Sequence, residues 1–335
     1  RLHPRRVRLD SSGVGCAEST GWQAAAVTTL KALTVSSRPL SWVNTAFPFA
    51  AAYFIGTQTF DALFFVGTLF FLIPYNVLMY GINDVYDYES DLRNPRKGGA
   101  EGGLLPPALH RPMVVTSVAV ALPFVAWLVW QTSPLAWLVL AVSLFSVIAY
   151  SVPPLRFKEI PFLDSVTSSS HFVTPAVYGL AAGDATVGMT GVTLLAAFFL
   201  WGMGSHAFGA VQDVESDHQA GIGSIATAIS ARGAVRFALA NYLAAGLLLL
   251  LTPWPFPIMA LAVIPYLAAV LPFWRVSDDN ARAAHAGWRW FLAINFLAGA
   301  IVTLVGINAG ICLASGCGRG GAQAPSAQAR PRARP

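Results

Sequence analysis

Long apolar segments that recur along the whole chain are the feature that most constrains its fold. A helix needs roughly 20 mostly apolar residues to cross a bilayer. We predict spans at 40–58, 62–82, 113–131, 135–150, 162–182, 189–209, 233–252, 255–274 and 290–312. None of these segments alternates apolar and polar residues over its length, which favours helices over a membrane β-barrel. The sequence therefore predicts an all-α, polytopic membrane protein with nine transmembrane helices.

The composition agrees with lipid as the solvent. Of the 335 residues, 55% are hydrophobic and only 11% are charged, whereas a soluble domain carries about 25% charged residues. The formal net charge of +5 needs no nucleic acid as a partner, because basic loops that face anionic lipid are a sufficient explanation. The three cysteines have neither metal-binding spacing nor the even number of a disulfide framework.

The basic residues predict the orientation. Lys and Arg occur in every second loop, and the loops between them, QTSP, GDATVG and PWP, contain none. The positive-inside rule then places the amino terminus and the charge-rich loops in the cytoplasm, and nine spans place the carboxyl terminus outside the plasma membrane. We predict a cytoplasmic segment at 1–35, a nine-helix domain at 36–312 and a disordered tail rich in Gly, Pro and Arg at 313–335.

Two similar acidic clusters stand at the cytoplasmic ends of two alternate spans. NDVYDYESD (83–91) follows the second span and DVESD (213–217) follows the sixth. If each helix continues through its cluster, Glu89 and Glu215 point away and the remaining polar side chains share one face. That face carries Asn83 at its edge with Asp84, Asp87 and Asp91 in the first cluster, and Asp213 and Asp217 in the second.

Such stacked carboxylates predict a site for Mg²⁺ and diphosphate. They repel one another unless a cation lies among them, and Mg²⁺ prefers a few carboxylates together with phosphate oxygens. A single DxxxD is more often ordinary charge at a membrane surface, but two matching clusters favour a site. A diphosphate also needs cationic side chains, and the nearby loops offer some, although the positive-inside rule alone puts basic residues there. They are Arg93, Arg96, Lys97, Arg156 and Lys158.

These segments resemble the UbiA superfamily of intramembrane prenyltransferases. NDVYDYESD fits its NDxxDxxxD signature and DVESD its DxxxD signature, while YSVPPLRFKE (150–159) and GIGSIATAIS (221–230) resemble two further segments. The resemblance covers about residues 36–310. It implies a nine-helix bundle around a central cavity capped by cytoplasmic loops, and Mg²⁺-dependent transfer of a prenyl group from its diphosphate to a lipophilic acceptor.

The resemblance also implies roles for individual residues. Asn83, Asp84, Asp87, Asp91, Asp213 and Asp217 would hold Mg²⁺, and the aspartates among them would be catalytic. Asn83, Arg96, Lys97, Arg156 and Lys158 would bind the diphosphate. One position departs from the pattern, because many members have a basic residue before the second motif and this chain has Gln212, which implies a weaker clamp there.

Within this superfamily, the segments NDVYDYESDLRNPRKGG and DVESDHQAGIGSIAT are most similar to the lycopene elongase branch. That similarity implies transfer of a dimethylallyl group to lycopene in the synthesis of C50 carotenoids. Loss of diphosphate leaves an allylic cation, which aromatic rings stabilise, although ordinary packing remains the alternative for each ring. The candidates are Tyr75, Tyr80, Tyr150, Tyr178, Trp201 and Phe208. The released proton is expected to go to the diphosphate or to a motif aspartate. Asn44, Asp164 and His171 are candidates for the cavity wall, with interhelical hydrogen bonding as the alternative.

Three other functions remain as alternatives. The first is UbiA-type prenylation of an aromatic acid or a quinone precursor instead of lycopene. A CDP-alcohol phosphotransferase also uses membrane aspartates, but its DG and AR elements are missing. A divalent-cation transporter would place its carboxylates near the middle of the bilayer, whereas here they stand at helix ends on one side.

Overall fold

A computed structural model describes residues 30–92 and 103–315 of the chain, without the side chains of residues 292 and 310–315. Within those ranges every regular element is a helix and no strand occurs. The predicted all-α class is therefore confirmed. The predicted tail at 313–335 and most of the segment at 1–35 lie outside the described residues.

After a helical segment at 30–36, the first half of the bundle contains six α-helices. They are α1 (Val43–Thr57), α2 (Ala62–Leu72), α3 (Pro74–Tyr86), α4 (Tyr88–Asp91), α5 (His110–Gln131) and α6 (Pro134–Ser151). The side chain of Asp61 caps α2 by accepting a hydrogen bond from the Phe64 backbone N–H at 2.9 Å. Proline opens both α3 and α6, at the helix position where its missing N–H costs nothing.

The second half contains six more. They are α7 (Leu163–Ala182), α8 (Met189–Val211), α9 (Val214–Ala220), α10 (Ile225–Leu250), α11 (Val263–Val270) and α12 (His285–Ser315). Ser224 and Thr227 form a capping box that starts α10. This cap makes the helix begin eight residues before the predicted span at 233–252. Short 3₁₀ helices at Pro39–Ser41, Pro107–Leu109, Phe157–Glu159, Phe256–Ala262, Leu271–Phe273 and Asp278–Ala284 complete the described part.

The predicted spans all fall on helices, but the number nine is not confirmed. Among the described residues, six helical segments are long and apolar enough to cross a membrane, or seven if the bent pair Asp278–Phe291 and Ala293–Ala309 is one span. The protein is thus a multi-pass membrane protein. Two predicted spans do not meet these criteria: α1 has only 15 residues, and α7 opens with the polar run DSVTSSSH.

The two halves have separate apolar cores. One cluster joins α1, α2, α3, α5 and α6 around rings such as Phe49, Phe71 and Tyr75, and the other joins α8, α10, α11 and α12 around Tyr242 and Tyr266. Helix α7 packs against α1, α6 and α8. It therefore connects the two halves of the bundle.

Candidate active site

A cavity of about 340 Å³ lies between the two halves, and both acidic clusters line it. The first cluster contributes Asn83, Asp87 and Asp91, and the second contributes Asp213 and Asp217. The short helices α4 and α9, which carry the ends of the clusters, pack against each other. The prediction that two distant sequence motifs share one site is therefore confirmed.

Both motifs have the same local backbone. Contrary to the prediction, neither helix continues regularly through its cluster: Asp87 has φ −100° and ψ −1°, and Asp213 has φ −98° and ψ −7°, values in the sparsely populated bridge region. Three residues later, Ser90 and Ser216 donate hydrogen bonds to the carbonyl oxygens of Asp87 and Asp213 at 2.8 and 2.9 Å. The helix thus breaks at the corresponding aspartate of each motif, and a serine three residues later donates a hydrogen bond to the carbonyl oxygen of that aspartate.

Asp87 is the most connected carboxylate of the first motif. It accepts a hydrogen bond from Asn83 Nδ2 at 2.7 Å and is in contact with Lys158 Nζ. Arg156 Nη2 lies 4.0 Å away and also pairs with Glu159. Lys158 lines the cavity, whereas Arg156 is not among the lining residues. The loop that carries both cations therefore lies against the first motif, and the predicted contact of Arg156 and Lys158 with the diphosphate stays a prediction.

Burial changes the acid–base properties of this loop. It lowers the pKa of Lys158 to about 8, although the carboxylates of Glu159 and Asp217 oppose the shift. The hydrogen bond and the charge of Arg156 hold the pKa of Glu159 below its usual range. Lys158 is therefore a partly desolvated cation at the edge of the cavity, where its attraction to an anion is stronger than in water.

Arg38 lies at the site, although the sequence alone did not identify it as a site residue. Its Nη2 donates to Asp84 Oδ1 at 3.1 Å and to Asn83 Oδ1 at 3.2 Å, and its guanidinium lies 4.2 Å from the centre of the Tyr80 ring. Burial is the largest single influence and lowers the pKa of Arg38, but the charges of Asp84, Tyr80 and Asp91 together with the hydrogen bond to Asp84 hold that pKa above its ordinary value. No local pattern reveals this contact, because Arg38 precedes Asp84 by 46 residues.

Asp84 occupies a different place from the other motif aspartates. It is almost fully buried and is not among the residues that line the cavity. Besides Arg38, it accepts a hydrogen bond from the Gly103 backbone N–H at 3.3 Å. Its predicted role as a metal ligand stays a prediction. In this structure its carboxylate anchors Arg38 beneath the site.

The second motif is tied to the carboxyl-terminal helices. Asp217 accepts a hydrogen bond from Ser224 Oγ at 3.2 Å, which joins α9 to the start of α10. Gln212 Oε1 lies 2.8 Å from Nδ1 of His285. The position that lacks the family's basic residue is thus in contact with a titratable side chain from α12.

The two glutamates of the motifs point away from the cavity, as predicted. Glu89 is exposed. Glu215 is also exposed and pairs with Arg282 at 3.0 Å between Oε2 and Nε. The cavity-lining aspartates Asp87, Asp91, Asp213 and Asp217 are therefore separated from the exposed glutamates, as the spacing predicted, although each motif contains a helix break.

The rest of the cavity wall combines aromatic rings with polar side chains. Tyr80, Tyr150 and Trp201 line it together with Asn44 and His171, so these candidates lie at the cavity, and their roles there stay predictions. The prediction was wrong for three other rings, since Tyr75, Tyr178 and Phe208 are completely buried in the two apolar cores. Sequence position within a span does not tell which side of the helix faces the cavity when both sides are apolar.

The other predicted diphosphate ligands, Arg96 and Lys97, lie outside the described residues, as does Arg93. Their contribution stays a prediction.

The residues that line the cavity are suited to bind a hard cation that is also coordinated by the phosphate groups of a substrate. In the described part of the chain, no three or more His, Cys, Asp or Glu side chains are gathered closely enough to hold a metal by themselves. The cavity nevertheless offers carboxylate and amide oxygens from both motifs. Mg²⁺ commonly binds through one or two carboxylates, several waters and substrate phosphates, so the donor set fits a metal that bridges to a diphosphate.

Comparison with known proteins places this architecture in one family. The UbiA prenyltransferase family matches residues 45–297. A UbiA homolog from Archaeoglobus fulgidus bound to DMAPP and Mg²⁺ has the same fold, with a TM-score of 0.58 at 19% identity over 81% of this chain and 99% of that protein.

Two more similar sequences come from bacteria. The C(50) beta-cyclic carotenoids biosynthesis protein LbtBC of a Dietzia species is 53% identical over 81% of this chain, which spans 63% of that relative's length. A lycopene elongase/hydratase of Corynebacterium glutamicum is 45% identical over 82% of this chain and 96% of its own length.

Proposed function

The chain belongs to the UbiA prenyltransferase family, and we propose that it transfers a dimethylallyl group from its diphosphate to lycopene in the synthesis of C50 carotenoids. The single observation that carries this proposal is the cavity that both aspartate motifs share. The names of the Corynebacterium and Dietzia relatives support lycopene as the acceptor.

The two motifs would bind the diphosphate through Mg²⁺. Asp87, Asp91, Asp213 and Asp217, with Asn83, are the oxygen donors that line the cavity. The Mg²⁺-bound Archaeoglobus structure supports a divalent cation in this fold. When bound, the metal would neutralise the charge that grows on the leaving diphosphate, which is electrostatic catalysis.

The protein's own cations would complete the leaving-group site. Lys158 lies against Asp87 and lines the cavity. Its Nζ would therefore lie beside a diphosphate that is bound between the two motifs. Arg156, behind it, is held in the left-handed region at φ 37° and fixes the loop through Glu159. Charged hydrogen bonds of this kind are shorter and stronger than neutral ones.

The aromatic part of the cavity wall would stabilise the cation that forms. Tyr80, Tyr150 and Trp201 present π electrons to the cavity, and an aromatic face attracts a desolvated cation by about 2 kcal/mol. The terminal alkene of the acceptor would be the group that attacks.

The alternatives are less well supported. Membership of a prenyltransferase family favours an enzyme over a cation transporter. An aromatic acid would need a cation for its carboxylate, but the Arg and Lys side chains that line the described cavity, Arg38 and Lys158, are already in contact with the first motif. Lycopene needs no such cation.

We further propose a position in the plasma membrane with the amino terminus and the site at the cytoplasmic side and the carboxyl terminus outside. The distribution of Lys and Arg between alternate loops supports this orientation.

Expression in a lycopene-making bacterial host, followed by mass analysis of the pigments, tests the proposed reaction. The expected result is a mass raised by one or two five-carbon units. Unchanged lycopene in cells that accumulate the protein would contradict the proposal and support the aromatic acceptor.

Two variants and one control sharpen that test. D87N and D213N keep the shape of the side chains but remove charge from each motif, so each should lower product at least about 100-fold, as the loss of a group that stabilises transition-state charge does. E89Q removes an outward carboxylate from the same helix end and should leave the pigment yield unchanged.

A further inference from the structure

His206 is a cavity residue to which neither motif assigns a role. It lines the same cavity as the two acidic clusters and its side chain is 16% exposed. Its Nε2 lies 3.4 Å from Oδ2 of Asp164, whose side chain is 0% exposed. A buried carboxylate beside a cavity-facing imidazole is the arrangement that orients a histidine for proton transfer.

Asp164 is fixed firmly enough to serve as that anchor. Its Oδ2 accepts a hydrogen bond from the Ile225 backbone N–H at 2.7 Å, and its Oδ1 accepts from the Ser165 backbone N–H at 2.6 Å. These contacts connect the start of α7 to the start of α10. The carboxylate favours a proton on Nε2 of His206, which leaves Nδ1 as the basic nitrogen.

His206 also stands at a suitable depth. It lies on α8 five residues before the helix ends at Val211, which is about 7.5 Å along the axis, and Asp213 follows at the break beyond that end. The diphosphate would occupy the level of Asp213, and the prenyl carbons would extend from it into the cavity. Tyr150 packs edge-on against the rings of both His206 and His171, with centroids 6.3 and 5.2 Å away, so this wall carries both π electrons and a base.

We propose that His206, positioned by Asp164, accepts the proton released when prenyl transfer to the alkene acceptor ends. This inference rests on the proposed function. It differs from the expectation that the diphosphate or a motif aspartate takes the proton, because those groups would lie beyond the end of α8, more than one helical turn away at the mouth of the cavity.

The proposed step balances as follows. The bond between C1 of the prenyl group and the diphosphate oxygen breaks, and its electrons stay on oxygen. The π electrons of the acceptor's terminal alkene form the new bond to C1, which leaves a positive charge on the adjacent tertiary carbon. Nδ1 of His206 then takes a proton from a carbon next to that centre, and the electrons of the C–H bond form a new double bond.

The same nitrogen serves if water adds to the tertiary carbon. The proton of the added water then passes to Nδ1, and the product is a tertiary alcohol. In either case Asp164 stabilises the imidazolium, which later returns its proton to water at the cavity mouth. Loss of His206 should therefore change both the rate and the structure of the new chain end.

The experiment uses the full chain in membranes with dimethylallyl diphosphate, Mg²⁺ and lycopene. Released diphosphate, total prenylated lycopene and the structure of the new terminus are measured separately. H206Q is expected to lower kcat about 100-fold, as loss of a general base does, to leave the KM for dimethylallyl diphosphate unchanged, and to turn one terminus into a mixture of double-bond isomers and alcohol.

The matched control is H218Q. His218 is exposed at the end of α9 and is not among the residues that line the cavity, so the terminus should stay as in the wild type. D164N tests the positioning role, and it should lower kcat and broaden the terminus less than H206Q without raising KM. If H206Q does not accumulate, H206N and D164N carry the same test through the structure of the terminus.

The outcomes separate the two proposals. A wild-type protein that makes prenylated lycopene, together with an H206Q variant of equal kcat and identical terminus, overturns the role of His206 and leaves the proposed function standing. A folded wild-type protein that attaches no prenyl group to lycopene overturns both.

Discussion

At the scale of single residues, the site depends on carboxylates and cations that neutralise each other across large sequence distances. Asp87 meets Lys158, 71 residues away, and Asp84 meets Arg38. Each pair is largely withdrawn from water. Removing one partner of a buried pair leaves an uncompensated charge, which costs more than the pair contributes. The cations therefore support the site even before substrate binds.

Lys158 should contribute mainly to binding of the prenyl diphosphate. A hydrogen bond to a charged group contributes about 1.5–3 kcal/mol, so K158M should raise the KM for the diphosphate substrate by at least about tenfold. K158R keeps the charge and should restore most of the affinity. Steady-state kinetics over a series of prenyl diphosphate concentrations gives both values. An unchanged KM in K158M would mean that Lys158 only compensates the charge of Asp87.

Arg38 should matter for stability as well as activity. R38M leaves the buried Asp84 carboxylate with the Gly103 N–H as its remaining partner in the described structure, and breaking such a pair costs about 3–5 kcal/mol. A clear fall in the thermal unfolding midpoint in detergent is therefore expected. The control R282M breaks the exposed pair with Glu215, which contributes about 0–1 kcal/mol, and should change the midpoint little. Equal midpoints for R38M and R282M would contradict this account.

At the scale of elements, close packing of α7 against α8 brings Asp164 and His206 together. A Cβ atom on Gly202 would lie 2.3 Å from Ser169 Oγ and 3.0 Å from Ser169 Cα. Small residues at such a crossing let two membrane helices approach closely. The two polar residues of the further proposal are therefore held by helix packing rather than by a loop.

This crossing can be tested with one added methyl group. G202A should destabilise the protein by about 1–3 kcal/mol, the usual cost of overpacking, and should lower activity because α8 also carries the second motif. The control G299A adds the same methyl group where nothing lies within 4 Å, so it should be neutral or slightly stabilising. Thermal unfolding and product yield measure both effects, and a neutral G202A would show that the helices separate without cost.

The elements also show what the sequence predicts and what it does not. Helical spacing predicted that Asp87 and Asp91 lie apart from Glu89, and the structure separates them in this way. It did not predict the break at Asp87, which depends on local hydrogen bonds such as that of Ser90. It also missed His206, because an apolar run with Gly, Ser and His at its end does not reveal which side faces a cavity that another helix completes.

At the scale of the whole molecule, the described structure is polarised. The motifs, Arg38 and the loop with Lys158 meet at one end of the bundle. At the other end, the connections after α1, α5, α7 and α10 contain no Lys or Arg. Trp130 and Trp254 are largely exposed there, as expected for rings at a membrane interface. The distribution of charged residues and the positions of the exposed tryptophans therefore indicate the same orientation of the helix bundle relative to the membrane.

Cysteine labelling in intact cells tests the direction of that axis. In a background with Cys16, Cys312 and Cys317 changed to serine, T186C lies in the connection after α7 and E89C lies in the first motif, and both positions are exposed. A membrane-impermeant maleimide should label T186C in intact cells, and should label E89C only after the membrane is opened, because the positive-inside rule places the motif end in the cytoplasm. The reverse pattern would put the diphosphate site outside the cell, away from the cytoplasmic supply of prenyl diphosphates that the proposed reaction requires.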